Sequence, residues 1–324
     1  MIKKFNKLII LCKGHSVTGG SELIHQLCHE LSSLNLHAYI CYYPFTKDYQ
    51  IPDEYSIYDI QQCKLEDNEN NLIILPEVAT KFAWKIKKSK IGIWWLSIDN
   101  FYRKKGDNIF RDSIKFYKDL IRLRLMPLFL MKNYLHFAQS HYAYTYLKKY
   151  NIESEYLSDY LNPVHFSDTK RNKKNIILYN PVKGFKVTQK LIKNNKGFKF
   201  IALEKLSNKE VQNHFNDAKL YIDFGNHPGK DRMPREAAMA DCCIITGKRG
   251  SAENTIDIPI LEKYKFDDSR ELDNILFKKT VNDLFLNYNS RIDDFLSYKN
   301  TIKREKNIFQ NQVCEIFTKL INAR

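Results

Sequence analysis

Short apolar runs alternate with amphipathic helical patterns along most of this chain of 324 residues. The first run, KLIILC (7–12), precedes a glycine turn and the segment SELIHQLCHELSSL, in which leucines recur at helical spacing. The runs HAYICYY (37–43), NLIILPE (71–77) and KIGIWWLSID (90–99) continue the strand pattern. This alternation of strands and helices predicts an α/β fold built on a doubly wound parallel sheet.

A second series of strands and helices follows the polar, basic stretch 163–174, which reads as a linker. We expect two Rossmann-like domains, 1–168 and 169–324, facing each other across a cleft. Sheets of this kind bind ligands outside the carboxyl ends of their strands. Ser207 and Glu210 form a capping-box pattern that predicts a helix start. The expected strands of the second series are NIILYN (175–180), FKFIAL (198–203), KLYIDFG (219–225) and CCIIT (242–246).

The composition limits the kinds of partner. A net charge of +15 favours anionic partners, although an AT-rich genome that inflates lysine explains part of this excess. The seven cysteines form no CxxC pair, which indicates a reduced, intracellular protein and not a disulfide framework. No apolar run approaches the roughly 18 residues of a membrane span, so we do not expect the chain to span a membrane. With the reduced cysteine pattern, we expect a cytoplasmic protein.

The stretch GNHPGKDRMPREAAMADCCIITGKRG (225–250) concentrates the chemistry. Lys230 and Arg232, with the N-terminus of the following helix, can bind a pyrophosphate. Glu236 can accept hydrogen bonds from ribose hydroxyls. Gly250 and Ser251 belong to a second turn whose backbone can approach a phosphate. The alternative interpretation is a solvated basic loop in which Glu236 is only a favourable charge at a helix start.

The segment PGKDRMPREAAMADCCIIT resembles the donor-binding region of retaining GT-B glycosyltransferases of family 4. Glu236 falls on the second glutamate of that family's motif. The resemblance implies a donor-phosphate role for Lys183, in NPVKGFKVTQKLI. The resemblance also covers the segment GHSVTGGSELIHQLCHEL, where it implies that Gly19 and Gly20 lie near the same phosphate. The segment GKRGSAEN resembles a later turn of the family.

Two positions depart from the family pattern. Pro228, preceded by His227, replaces the first glutamate, and Asn180 stands where an arginine is usual. We interpret His227 as a catalytic candidate near the sugar or phosphate, with a loop-filling role as the alternative. A His-Pro pair also occurs in bacterial enzymes that use CMP-sugars. The nucleotide is therefore left open among UDP, GDP and CMP.

The acceptor side is predicted at the end of the strand IWWLSIDN, where Asp99 is the candidate general base or acceptor-orienting group. A helix-capping aspartate is the alternative, and His15 and His141 also lie near predicted strand ends. No DxD motif occurs, so neither a metal nor another cofactor is expected. Residues 101–134 form a basic amphipathic pattern typical of contact with anionic membranes, or of a helix packed on the core.

Together, the residues and the resemblance predict a metal-independent glycosyltransferase. It would transfer a sugar from a nucleotide-sugar to a saccharide or lipid-linked acceptor, in bacterial surface polysaccharide or lipopolysaccharide synthesis at the inner membrane face. The resemblance also implies that the last helix, about 300–324, returns to the first domain. Two alternatives are a non-catalytic nucleotide- or nucleic-acid-binding protein and a sugar-nucleotide epimerase. No nucleic acid partner is expected, because no RRM, KH or helix-turn-helix signature occurs.

Overall fold

The structure, a computed structural model, forms two compact units. Residues 1–159 and 306–324 make the first unit, and residues 160–305 make the second. The division falls after Asp159, a few residues before the boundary expected at 168/169. The described residues are 5–102, 118, 121–122, 125–166, 172–268 and 272–322.

The first unit contains a parallel sheet of seven strands in the order β3-β2-β1-β4-β5-β6-β7. Residues 8–12 of the first strand in the chain, which lies inside the sheet, are all buried, as expected for a parallel strand covered on both faces. Leu8 pairs with Ala38 of one neighbouring strand, and Lys7 pairs with Asn71 of the other. The strands are β1 Lys7–Lys13, β2 Ala38–Tyr43, β3 Gln61–Gln62, β4 Asn71–Pro76, β5 Lys90–Trp95, β6 Leu135–Ala138 and β7 Glu155–Tyr156.

Up to Asp159, the helices with defined bounds among the described residues are α1 Gly19–Ser33, α2 Ile98–Phe101 and α3 His141–Lys149, with 3-10 helices at Asp53–Tyr55, Glu77–Lys85 and Leu128–Leu130. Helix α1 begins after Thr18, whose hydroxyl accepts a hydrogen bond from the Ser21 N–H.

The second unit contains a parallel sheet of five strands in the order β12-β11-β10-β8-β9. The capping box at Ser207 and Glu210 is confirmed. The strands are β8 Lys174–Tyr179, β9 Lys199–Ala202, β10 Ala218–Asp223, β11 Cys243–Gly247 and β12 Lys265–Phe266. The helices are α4 Phe185–Asn194, α5 Asn208–Asp217, α6 Arg232–Met239, α7 Asn274–Leu286, α8 Tyr288–Arg291 and α9 Leu296–Asn322, with 3-10 helices at Pro163–His165, Ser251–Glu253, Glu262–Tyr264 and Ile292–Phe295.

Helix α9 is shared between the units. Its residues up to Glu305 belong to the second unit, and its residues from Lys306 belong to the first. Within the first unit, Phe309 stacks on Trp94 with ring centroids 6.4 Å apart. Phe317 contacts Phe137 at 5.8 Å. The C-terminal part of α9 is therefore a component of the first unit's core.

Most of the segment 101–134 that is predicted to contact a membrane lies outside the described residues. In its described part, Ile121 and Phe129 are 81% and 68% exposed, whereas Met126 and Met131 are buried. No helix among the described residues is both long enough and apolar enough to cross a membrane.

Candidate functional site

Three turns converge at the carboxyl edge of the second sheet, because β8, β10 and β11 are parallel and adjacent. Two glycines allow the close approach. Gly184 has a φ of +60°, and a Cβ there would lie 2.2 Å from the Phe224 carbonyl oxygen. Gly250 has a φ of +63°, and its Cβ would lie 2.0 Å from the His227 carbonyl oxygen. Only glycine fits such positions without strain, so these residues hold the three turns together.

A line of polar contacts crosses these turns, and we call it the charged cluster: Lys183, Asp231, His227, Asp223 and Tyr221. The Lys183 ammonium lies 2.8 Å from Oδ2 of Asp231. His227 lies between the two aspartates, with Nδ1 3.1 Å from Asp231 Oδ2 and Nε2 3.6 Å from Asp223 Oδ1. The Tyr221 hydroxyl donates to Asp223 Oδ2 at 2.8 Å.

The pKa values in the charged cluster follow from opposite charges at short range. Burial raises the pKa of Asp231, but the Lys183 ammonium and the His227 imidazole outweigh this effect and lower it to about 2. Burial lowers the pKa of Lys183, yet Asp231 and Asp223 raise it overall. Lys183 is therefore a firmly charged cation held at the carboxyl end of β8.

Arg232 and Glu236, predicted to bind phosphate and ribose, pair with each other. The Arg232 Nε lies 2.9 Å from Glu236 Oε1 across the first turn of α6. His165 brings Nδ1 to 3.4 Å from the same oxygen. Glu236 is 3% exposed, while the Arg232 side chain is 34% exposed. In this arrangement Arg232 is accessible to a ligand, and Glu236 mainly orients it.

Lys230, the other predicted phosphate cation, turns toward a buried carboxylate. Its ammonium lies 2.9 Å from Oε1 of Glu305, and Arg235 lies 2.9 Å from Oε2 of the same residue. The Glu305 carboxylate also accepts the Leu161 N–H at 3.2 Å. The Lys230 side chain is only 13% exposed. Lys230 therefore anchors the loop before α6 to helix α9.

The remaining predicted donor residues of this unit shape the turns. The Asn180 side chain accepts the Val182 N–H at 2.9 Å. Ser251 is fully buried, with its hydroxyl donating to the Gly229 carbonyl at 2.6 Å and its N–H donating to the His227 carbonyl at 2.8 Å. These bonds join the turn after β11 to the loop after β10.

In the first unit, Gly19 and Gly20 are the first two residues of helix α1. A side chain at Gly19 would meet no atom within 4 Å, so packing does not require a glycine at this position; its place near the donor phosphate stays a prediction. Asp99, in contrast, is 2% exposed and accepts a hydrogen bond from the Tyr142 hydroxyl at 3.1 Å. An acceptor hydroxyl reaches this carboxylate only if the residues that cover it move.

The two histidines near predicted strand ends of the first unit contact tyrosines. The His141 Nδ1 lies 2.8 Å from the Tyr156 hydroxyl. The His15 ring contacts the Tyr49 ring edge-on, with centroids 4.9 Å apart.

Ligand-type atoms of Asp223, His227 and Asp231 lie within 4.8 Å of one another, a spacing that can hold a metal ion. Those carboxylates are already engaged, however, because Lys183 binds Asp231 and the Gly225 N–H and Tyr221 hydroxyl bind Asp223. We therefore describe the group as a charge network. That the function needs no metal stays a prediction.

Sequence reasoning missed one residue of the first unit, Glu77, and several that the structure brings together in the second: His165, Asp223, Asp231, Arg235 and Glu305. Glu77 ends an apolar strand, and its carboxylate accepts the Leu96 N–H at 3.0 Å. Burial raises its pKa to about 8 despite the backbone hydrogen bonds. A charged residue directly after a buried strand was the available signal for Glu77 and Asp223. The others pair over distances that no local pattern reveals.

No family model matches the chain, and no curated protein shows significant similarity to it. Several solved structures, however, are similar to this chain. Sucrose-phosphate synthase from Thermosynechococcus elongatus superposes with a TM-score of 0.69 at 9% identity, over 98% of this chain and 100% of that one. Anabaena HepE, in complex with UDP-glucose, superposes with a TM-score of 0.64 at 9% identity, over 97% of this chain and 99% of that one. WaaG, a glycosyltransferase involved in lipopolysaccharide biosynthesis, superposes with a TM-score of 0.59 at 8% identity, over 98% of this chain and 100% of that one.

These similarities extend over nearly the whole of each chain, and the fold is GT-B: two units, each with a parallel sheet and helices. The predicted fold class is therefore confirmed. At 8–9% identity the comparison establishes the architecture and not the chemistry.

Proposed function

We propose that this chain is a glycosyltransferase that uses a nucleotide-sugar donor. One observation carries the proposal: Lys183 and Arg232 present partly exposed cations, 35% and 34%, at the carboxyl edge of a parallel sheet. The N-terminus of α6 lies at the same edge and adds partial positive charge. A pyrophosphate is the ligand that suits this combination, since it carries the opposite charge and accepts several hydrogen bonds. The complex of the similar Anabaena protein with UDP-glucose supports this donor class.

In this mechanism the protein acts mainly through electrostatics. Negative charge grows on the leaving phosphate oxygen as the bond to the sugar breaks. The Lys183 ammonium and the Arg232 guanidinium are fixed beforehand by Asp231 and Glu236, so they stabilise this charge with little reorganisation. Glu236 is proposed to contact the ribose, and Asp99 to orient or deprotonate the acceptor hydroxyl.

For the acceptor we propose a saccharide or lipid-linked saccharide of a bacterial surface polymer, with the protein bound peripherally at the cytoplasmic membrane face. The similarity to WaaG supports this pathway. The nine cations of residues 101–134, together with exposed Ile121 and Phe129, support contact with an anionic surface.

A donor screen tests the proposal. Melting temperatures are measured with UDP-, GDP- and CMP-sugars in EDTA, for the wild type, Lys183→Ala and the control Lys186→Ala, whose exposed lysine lies one turn away. We expect one nucleotide class to stabilise the wild type and the control but not Lys183→Ala. Transfer of the sugar to an acceptor is then followed with that donor.

Each other outcome contradicts the proposal. If no nucleotide-sugar raises the melting temperature, the proposed donor site is wrong. Binding without transfer to any saccharide or lipid-linked acceptor would favour a non-catalytic nucleotide-binding protein. Conversion of the donor into an isomer would favour an epimerase.

A further inference from the structure

His227 has an unusual environment for a histidine. Its side chain is fully buried, and neither ring nitrogen makes a hydrogen bond of good geometry. The ring nevertheless lies between two carboxylates, 3.1 Å from Asp231 and 3.6 Å from Asp223. An uncharged ring gains little from such neighbours, whereas an imidazolium is attracted by both.

The charge balance of the charged cluster also favours an imidazolium. Asp223 and Asp231 supply two negative charges, and Lys183 supplies one positive charge. A buried excess of charge is costly, so a second cation is needed for neutrality. A proton on His227 supplies this cation without any other ligand.

Asp231 shows what the imidazolium can control. It occupies the N-cap position of α6, yet its carboxylate makes no capping hydrogen bond with the helix. That carboxylate is held instead by Lys183 on one side and by His227 on the other. The position of the Lys183 ammonium therefore depends on the position of Asp231, which in turn depends on His227.

We propose that His227 is a positioning residue: it carries a proton, and its charge fixes Asp231 and, through Asp231, the Lys183 ammonium that receives the donor phosphate. The last step rests on the proposed function. Because the ring is fully buried, we propose this role for His227 instead of the direct contact with the sugar or phosphate that the sequence suggested. The donor affinity is then sensitive to the protonation of a residue that makes no contact with the donor.

The pH dependence follows from the groups that face His227. These are Asp223 and Tyr221 from β10, Asp231 from the start of α6, and Lys183 from the turn after β8; the turn after β11 contributes the Gly250 and Ser251 backbone. Burial lowers the pKa of His227, but Asp223 and Asp231 outweigh burial and Lys183, and raise it overall. The imidazolium is therefore the major form at and below about pH 6.5, the ordinary histidine value, and is lost as the pH rises through the higher folded value.

Nuclear magnetic resonance of the full chain with ¹⁵N-labelled histidine tests the charge directly. The His227 signal is identified by its loss in His227→Gln, with His214→Gln, on α5, as the matched control. We expect both ring nitrogens of His227 to be protonated at pH 6, and the ring to lose a proton only above the ordinary histidine value of about 6.5. A ring that is neutral at pH 6, or that titrates below that value, would overturn the proposal.

A charge-balance variant covers the case in which His227→Gln folds poorly. Glutamine leaves two carboxylates against one ammonium, and adding Asp223→Asn restores neutrality. We expect the double variant to melt at a higher temperature than His227→Gln alone. A double variant that melts at the same or a lower temperature would contradict the charge argument. Stabilisation of the wild type by Zn²⁺ or Mn²⁺ would also contradict it if His227→Gln abolishes that stabilisation, because the charged cluster would then be a cation site.

The functional step is tested by calorimetric titration with UDP, GDP and CMP between pH 6 and 9. We expect the wild-type affinity to fall as His227 deprotonates, and His227→Gln to bind weakly at every pH, by roughly 10–100-fold, because small displacements of a positioned group have effects of this size. A pH-independent wild-type affinity would overturn the positioning role. If the wild type binds no nucleotide, the proposed function fails, whereas the resonance and charge-balance measurements still decide whether His227 is an imidazolium.

Discussion

Replacing Glu305 by glutamine should strongly destabilise the second unit. The substitution keeps the shape of the side chain but removes the negative charge that faces Arg235 and Lys230, each at 2.9 Å. Glu305 and Arg235 are both 3% exposed, so neither charge is screened by water. Removing one partner of such a buried pair costs about 3–5 kcal/mol, since the other partner stays buried without compensation.

The lower end of that range applies here. Lys230 is 13% exposed and can regain part of its hydration, and glutamine retains an oxygen that can accept the Leu161 N–H. A loss of about 3 kcal/mol corresponds to a fall in melting temperature of roughly 6–12 °C, at about 2–4 °C per kcal/mol for a domain of this size class. Differential scanning calorimetry measures it and can separate the transitions of the two units.

Two comparisons sharpen this prediction. Glu262→Gln removes a partner of the surface pair with Lys248, where the carboxylate is 64% exposed, and should leave the melting temperature within error. Replacing Lys230, Arg235 and Glu305 together by Met, Met and Leu should recover most of the lost stability, because apolar substitution of a whole buried ion cluster is often neutral. A loss below about 1 kcal/mol for Glu305→Gln would refute the argument that these charges are uncompensated without Glu305.

Three further predictions address the donor loop and the membrane. Arg232→Ala should lower kcat by roughly 10²–10³, the effect of removing one preorganised donor. Glu236→Ala should raise the donor KM through the lost ribose contact and also lower kcat, because Arg232 loses the carboxylate that orients it. Wild-type steady-state kinetics in both folded variants would mean that the diphosphate binds elsewhere. Gly250→Ala should cost at least about 1–3 kcal/mol in urea denaturation, since a Cβ would lie 2.0 Å from the His227 carbonyl at a φ of +63°, and unchanged stability would contradict this. In co-sedimentation, the protein should bind anionic vesicles more than neutral ones, and equal binding would leave the segment 101–134 as part of the core.

The long elements of the fold were predictable because their apolar periodicity is set locally. The run KLIILC became β1 Lys7–Lys13, and the segment SELIHQLCHELSSL, with its leucines at helical spacing, falls almost entirely within α1 Gly19–Ser33. The strands Gln61–Gln62, Glu155–Tyr156 and Lys265–Phe266 were not predicted, because two residues carry no periodic pattern.

The site was only partly predictable. Lys230 and Arg232 were predicted because cations just before a helix start stand out, whereas Lys183 and His227 came from the comparison with the family-4 motif. Their partners depend on tertiary structure, which decides that Lys230 faces Glu305 of a distant helix while Lys183 faces Asp231. Which cation remains accessible is therefore a property of the packing and not of the local sequence.

The shared helix α9 has a consequence for how the chain folds during synthesis. The ribosome completes residues 160–305 before it adds the stretch that includes Phe309 and Phe317. Until then, the rings of Trp94 and Phe137 lack these partners, and the first unit has an incomplete apolar core. The unit translated first is thus the last to be finished, and a fragment that stops at Asp159 would expose the surface that α9 covers and would tend to aggregate.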